Sequence, residues 1–331
     1  MNTSVTRPRN YKIVNLRAIA ILTVVIGHSI IIYSSRWNIM QTSVECPFFD
    51  LLKYVIDLYQ MPLYFFISGF LMYGTLQKNI SFHQFLKDKI KRLLIPYFFV
   101  GLLWLIPINT LLTISNFNIN ELFSYIGNFV FGIRNRHLWF LYSLFTIFLF
   151  FFIASRTMSR VRQYIEKHLS NRILLNYVSV GGKFVALILF SGLIVLSNYI
   201  STNYFSIIST MQFTIWFYIG LLIISSNTKT CFFVLILFAL LVLKFMPHFV
   251  YGLVIVLALY YLVPNKENKF MTFFDRYSYG LYLFHSPLIY IAYTYSPNIN
   301  PLLMFTINFF GMGGVALLLS YIVKSHNIIN I

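Results

Sequence analysis

The stretch Tyr11–Tyr33, YKIVNLRAIAILTVVIGHSIIIY, decides the fold. Its apolar run is long enough to cross a bilayer as a helix, which takes about 20 such residues. Two ionisable side chains interrupt it, Arg17 and His28. Charge inside a membrane span is costly and marks function by default. Eleven helical steps of about 100° bring the two residues to within about 20° of one face, about 16 Å apart along the axis. That face therefore carries a guanidinium near one membrane surface and an imidazole deep inside.

The rest of the chain has the same character. Of 331 residues, 59% are hydrophobic and only 10% are charged. Apolar runs recur without the period-two alternation of a membrane β-barrel. The expected fold is therefore all-α, a polytopic transmembrane bundle forming one unit over 1–331 with no separate soluble domain. About ten spans are read, near 13–33, 51–76, 93–114, 138–154, 180–198, 211–226, 230–246, 248–264, 279–296 and 301–323. The first span lacks the short apolar region and small-residue cleavage pattern of a removable leader. Pro247 and His248 barely separate the seventh and eighth spans, so a re-entrant hairpin there is a second possibility. The net charge of +17 does not require nucleic acid, because placing both termini in the cytoplasm puts 18 Lys and Arg inside and five outside, the positive-inside pattern. The same topology puts Cys46 and Cys231 at opposite faces and predicts no disulfide between them.

Several side chains carry potential chemistry. Histidine is the natural general base near neutral pH, although His28 read alone also fits a hydrogen bond between helices. Asp57 lies at the matching depth on the antiparallel second span. It is expected either to orient His28 or to pair with Lys53 four residues earlier. Arg17 either snorkels to headgroups or grips a phosphate. Lys89 and Arg92 share a helix face entering the third span, fitting lipid headgroups or an anionic cofactor. Arg134, Arg136, His137 and Trp139 stand at the outer mouth of the fourth span, against the general charge bias, where they are candidates for substrate contact. Ser68, Tyr282 and His285 complete the candidates, while Gly69 reads as a site of close helix packing. No metal-ligating cluster is visible.

The pieces NLRAIAILTVVIGH (15–28), PLYFFISGFLM (62–72), KRLLIPYFF (91–99), HLWFLYSL (137–144) and SYGLYLFHSPL (278–288) together resemble the acyltransferase 3 family of integral membrane O-acyltransferases. They occur in the family's order, from the first span to the ninth. The region 155–264 carries no matching motif. The resemblance implies ten spans and an acyl group, usually acetyl, taken from cytoplasmic acetyl-CoA. It implies a hydroxyl acceptor on a glycan or another surface-polymer component. Arg17 and His28 match the family's paired arginine and histidine, and Lys89 and Arg92 match its two basic residues near the third span. Two departures stand out. Val14 occupies a position where the family often has an acidic residue, and Lys89 replaces the usual arginine, keeping the charge without the bidentate fork.

The expected function is an O-acetyltransferase of the bacterial inner membrane acting on O-antigen or a similar lipid-linked glycan. His28, oriented by Asp57, would be its base or acyl carrier. Arg17, Lys89 and Arg92 would hold acetyl-CoA. Ser68, Tyr282 and His285 would serve as oxyanion donors, and the outer-mouth residues would hold the glycan. The lipid bilayer and polysaccharide assembly proteins are the expected partners. A glycan or lipid-precursor flippase, or a noncatalytic subunit of an assembly complex, fits the helices equally well. Against a coupled transporter, Asp57 is the only carboxylate placed inside a span and no inverted repeat is apparent.

Overall fold

The computed structural model describes residues 9–37, 39–40, 42–112, 119–168 and 172–326. The chain ends, where the charge count places Arg7 and both termini in the cytoplasm, lie outside the described residues, as do positions 113–114 of the expected third span.

The described residues are helical, without strands. In chain order the helices are α1 (Tyr11–Ser29), α2 (Pro47–Leu76), α3 (Phe82–Leu112), α4 (Ile119–Val130), α5 (Trp139–His168), α6 (Arg172–Ser197), α7 (Ile207–Ser225), α8 (Thr228–Val242), α9 (Pro247–Leu262), α10 (Lys269–Tyr295) and α11 (Pro301–Ser325). Asparagines start several of them. Asn10, Asn227, Asn268 and Asn300 each accept a backbone N–H of the first turn, satisfying donors that a helix end otherwise leaves bare.

Among the described residues, seven helices are long and apolar enough to cross a membrane. Helices α8 and α9 are apolar but only 15 and 16 residues long. Helix α10 has the length, 27 residues, but carries Asp275, Arg276 and His285. It begins ten residues before the expected ninth span, which brings Asp275 into the helix. Cys46 and Cys231 are unpaired.

Close packing builds the interior. A Cβ on Gly69 of α2 would lie 1.8 Å from the Phe217 carbonyl oxygen of α7, and a Cβ on Gly220 would lie 1.9 Å from that of Phe66. The two backbones touch through reciprocal glycines, as expected at Gly69. Gly69→Val should therefore part α2 from α7, and thermal unfolding in detergent should show a Tm well below that of the parent. An unchanged Tm would contradict this packing.

Helices α1 and α10 run side by side and parallel. Arg17 meets Asp275 at one level and His28 meets His285 further along. The separations of eleven and ten residues match, about 15–16 Å on each helix. The Tyr293 hydroxyl donates to the His28 carbonyl at 2.7 Å and ties the ends of the pair together.

Candidate active site

Three histidines meet inside the bundle. His285 of α10 is fully buried, and its Nδ1 lies 2.8 Å from the Leu281 carbonyl oxygen and 3.0 Å from that of Tyr282. Carbonyls only accept, so Nδ1 carries the proton and Nε2 is a bare lone pair. That Nε2 lies 3.3 Å from Nδ1 of His28, which is also 3.0 Å from the Val24 carbonyl oxygen. By the same logic Nδ1–H of His28 is a shared donor, which leaves its Nε2 unprotonated. The two rings meet edge to face, centroids 4.8 Å apart. The arrangement presents the imidazole of His28 as a base or nucleophile, with the neighbouring histidine fixing its tautomer.

His137, just before α5, packs against the same group, its centroid 5.5 Å from that of His285. Its Nε2 donates to the Leu283 carbonyl at 3.1 Å. That acceptor is available for a covalent reason. Pro287 has no N–H to return to residue 283, four positions back, so the carbonyl is free for the imidazole. The Tyr282 hydroxyl donates to the His137 backbone carbonyl. In α3 the Tyr279 hydroxyl donates to the Arg92 carbonyl at 2.6 Å.

Asp57 does not orient His28. Its carboxylate accepts from Lys53, from Nε2 of Gln60 (2.6 Å) and from Nε1 of Trp37 (2.7 Å). The reason is the buried Lys53, only 2% exposed, whose charge requires a partner four residues along the helix. The ammonium also lies 4.9 Å over Trp37. Trp37, which no sequence motif marks, is 51% exposed. Trp139, by contrast, packs against the stacked rings of Phe65 and Phe213 rather than standing open at the mouth.

Arg17 pairs with both oxygens of Asp275, Nε at 2.8 Å and Nη2 at 3.2 Å. Asp275 is 8% exposed and also accepts from Arg9 at 3.2 Å. It lies in α10, four residues before the expected ninth span, and its charge is balanced by two arginines. Where Val14 departs from the family's acidic position, a carboxylate from another helix reaches the arginine. A guanidinium has five N–H donors. Asp275 accepts a hydrogen bond from one of them, on Nη2, and lies in ion-pair contact with Nε, and the side chain is 39% exposed.

The expected common face of Lys89 and Arg92 is altered by a π-helical turn at Ile90–Leu94, which changes the angular step between them. The Lys89 ammonium lies 3.4 Å over the Phe148 ring, whereas Arg92 is exposed. The Tyr279 bond nevertheless brings the Arg92 backbone within one turn of Asp275 along α10.

All three expected oxyanion donors have protein partners. Ser68 donates to the Tyr64 carbonyl at 2.8 Å, Tyr282 to His137, and His285 to its own helix. One unengaged donor, among several buried ones, is the Tyr64 hydroxyl, which has no partner and lies within electrostatic reach of Arg17 and Asp275. Nothing in the sequence pattern separates the Tyr64 hydroxyl from those of the many interfacial tyrosines.

Backbone strain gathers beside His137. Among the described residues, the non-glycine positions with positive φ are Arg136 (43°), Phe205 (52°) and Ser206 (54°). Such conformations cost about 1–3 kcal/mol each and persist only when the surroundings impose them. Here Phe205 N donates to the Phe131 carbonyl at 2.6 Å and Asn135 donates to the Ser206 hydroxyl at 2.8 Å. Arg136 lies 4.9 Å over the Tyr290 ring, and Arg134 is exposed.

The model of the acyltransferase domain family, Acyl_transf_3, matches residues 10–324 and so spans every helix of the site. The chain belongs to the acyltransferase 3 family. No curated protein and no solved structure matches it. The acyltransferase thus presents a polytopic helical bundle with a histidine cluster inside and an arginine–carboxylate pair one level away on the same two helices. Among its described residues no group of three or more His, Cys, Asp or Glu forms a metal site.

Proposed function

We propose that this membrane acyltransferase moves an acetyl group from cytoplasmic acetyl-CoA to a hydroxyl of a bacterial surface glycan, O-antigen or a similar lipid-linked polysaccharide. We place it in the inner membrane with about ten spans and cytoplasmic termini. The single observation that carries the chemistry is the His28–His285 contact, which leaves Nε2 of His28 free and unprotonated. The exposed N–H groups of Arg17, held in place by Asp275, suit the donor's phosphates. Arg92 and Lys89 add positive charge on the adjacent helix. The distance from Arg17 to His28, about 16 Å along α1, lets the thioester end extend inward from that mouth.

The acceptor reaches the histidines from the opposite side, past Arg134, Arg136 and the exposed indole of Trp37. As charge develops on the carbonyl oxygen, the hydroxyl of Tyr64 is an available donor. Comparison of surface polysaccharide from cells with and without the protein tests this reading. Mass spectrometry before and after mild alkali should show an alkali-labile gain of one acetyl per repeat. An unchanged glycan mass with altered export would instead favour a flippase.

A further inference from the structure

His137 has one ring nitrogen that the structure leaves unused. Nε2 donates to the Leu283 carbonyl, so Nδ1 is a lone pair. That atom is buried with no hydrogen-bond partner, on a residue only 6% exposed. A buried polar atom without a partner is costly and rare. The site around it is built to hold the ring still. Pro287 frees the carbonyl that receives Nε2, Tyr282 clamps the backbone carbonyl, and the strained Arg136 immediately precedes it. A fixed, buried lone pair without a protein partner suits a hydroxyl or N–H donor of a bound ligand.

The cluster thus carries two bare imidazole nitrogens, Nε2 of His28 and Nδ1 of His137, on two rings that both pack against His285. One base is enough for a direct transfer. Two separate ones suit a transfer in two halves, with the second base on the side of the arginine-bearing loop.

We infer that Nδ1 of His137 is the proton acceptor for the incoming hydroxyl, while His28 carries the acyl group between the halves. This rests on the acyltransfer reading above. In the first half, Nε2 of His28 attacks the thioester carbonyl. An N–C bond forms, the C–S bond breaks, and the thiolate leaves with the electron pair, to be protonated by solvent. His28, still holding its Nδ1 proton against Val24 and His285, becomes an acyl-imidazolium. In the second half, the acceptor hydroxyl attacks that acyl carbon and gives its proton to Nδ1 of His137. The new O–C bond forms and the N–C bond breaks, returning neutral His28. His137 then releases its proton to solvent. The sum is thioester plus alcohol giving thiol plus ester, with no further reactant.

The test separates the halves with hydroxylamine, which is a free base near neutral pH and needs no proton acceptor. Membranes containing the full chain receive radiolabelled acetyl-CoA. Acetohydroxamate is then measured alongside label entering endogenous glycans and lipids. In His137→Gln, whose amide can still donate to Leu283, hydroxamate formation and acetyl-CoA affinity should stay within about twofold of the parent. Transfer to endogenous acceptors should fall by about 10²-fold or more, the usual contribution of a general base. His137→Asn, a second variant that keeps a donor, guards against a folding defect peculiar to one side chain. Equal loss of both products in both variants, or persistent transfer in either, overturns the assignment. His28→Ala should lose both products. If it keeps both, the acyltransfer reading at His28 fails, whatever His137 shows.

Discussion

Replacing His28 with alanine should lower acetyl transfer per folded molecule by at least about 10³-fold, the scale of losing a positioned base or nucleophile. The structure gives the reason. The substitution removes the one ring nitrogen of the His28–His285 pair that is both unprotonated and free of a protein partner. His285→Phe should act more mildly, by about 10–100-fold, because the aromatic volume remains while the lone pair fixing the His28 tautomer is lost. The discriminating feature is where the loss appears. Since His285 works through His28, kcat should fall while KM for acetyl-CoA holds. A rise in KM with kcat intact would place His285 in donor binding instead. The readout is transfer in membranes, normalised to protein abundance.

The second large effect concerns Arg17. Arg17→Ala should weaken acetyl-CoA binding by about 10–100-fold, the scale of losing hydrogen bonds to a charged group. It should also cost stability, because Asp275 is left buried with only the half-exposed Arg9. Leaving a buried carboxylate with no partner costs about 3–5 kcal/mol, and the remaining Arg9 keeps the loss here below that. Arg17→Lys keeps the charge but cannot hold both Asp275 oxygens and a phosphate together. Its affinity should fall between the parent and the alanine variant. Acetyl-CoA titration of purified protein, paired with thermal unfolding, separates the two effects. Unchanged affinity in Arg17→Ala, measured on folded protein, would remove Arg17 from the donor site.

These expectations show which parts of the site were legible in the sequence. The common face of Arg17 and His28 follows from helical periodicity alone, and the structure places both residues against α10. The glycine contact at Gly69 was legible because small residues in a membrane helix have few other uses. Asp275 was not, because hydropathy begins the ninth span near Tyr279, whereas the helix begins at Lys269. Hydropathy reports where lipid can be tolerated, and this part of α10 is packed against its neighbours, so it carries a buried charge that a lipid-facing helix could not.

The depth match between Asp57 and His28 was sound as geometry and failed as chemistry. Lys53, buried one turn away on the same helix, holds the carboxylate more tightly than a neutral imidazole could. The role of Pro287 is legible only after the fold is known. A proline in a helix announces a free carbonyl four residues back, but not which side chain will use it. Here His137, 146 positions away in sequence, is the side chain that does. The short helices α8 and α9 and the region 155–264, where no motif matched, supply packing rather than identified chemistry.

The central claim is that the histidine pair on α1 and α10 performs acyl transfer from acetyl-CoA without help from another protein. The most direct test reconstitutes the purified full chain in lipid with radiolabelled acetyl-CoA and a total glycolipid extract of the producing cells. The account predicts alkali-labile label in the glycolipid with the parent protein, and label at background with His28→Ala at equal folded abundance. Equal labelling by both proteins would contradict it.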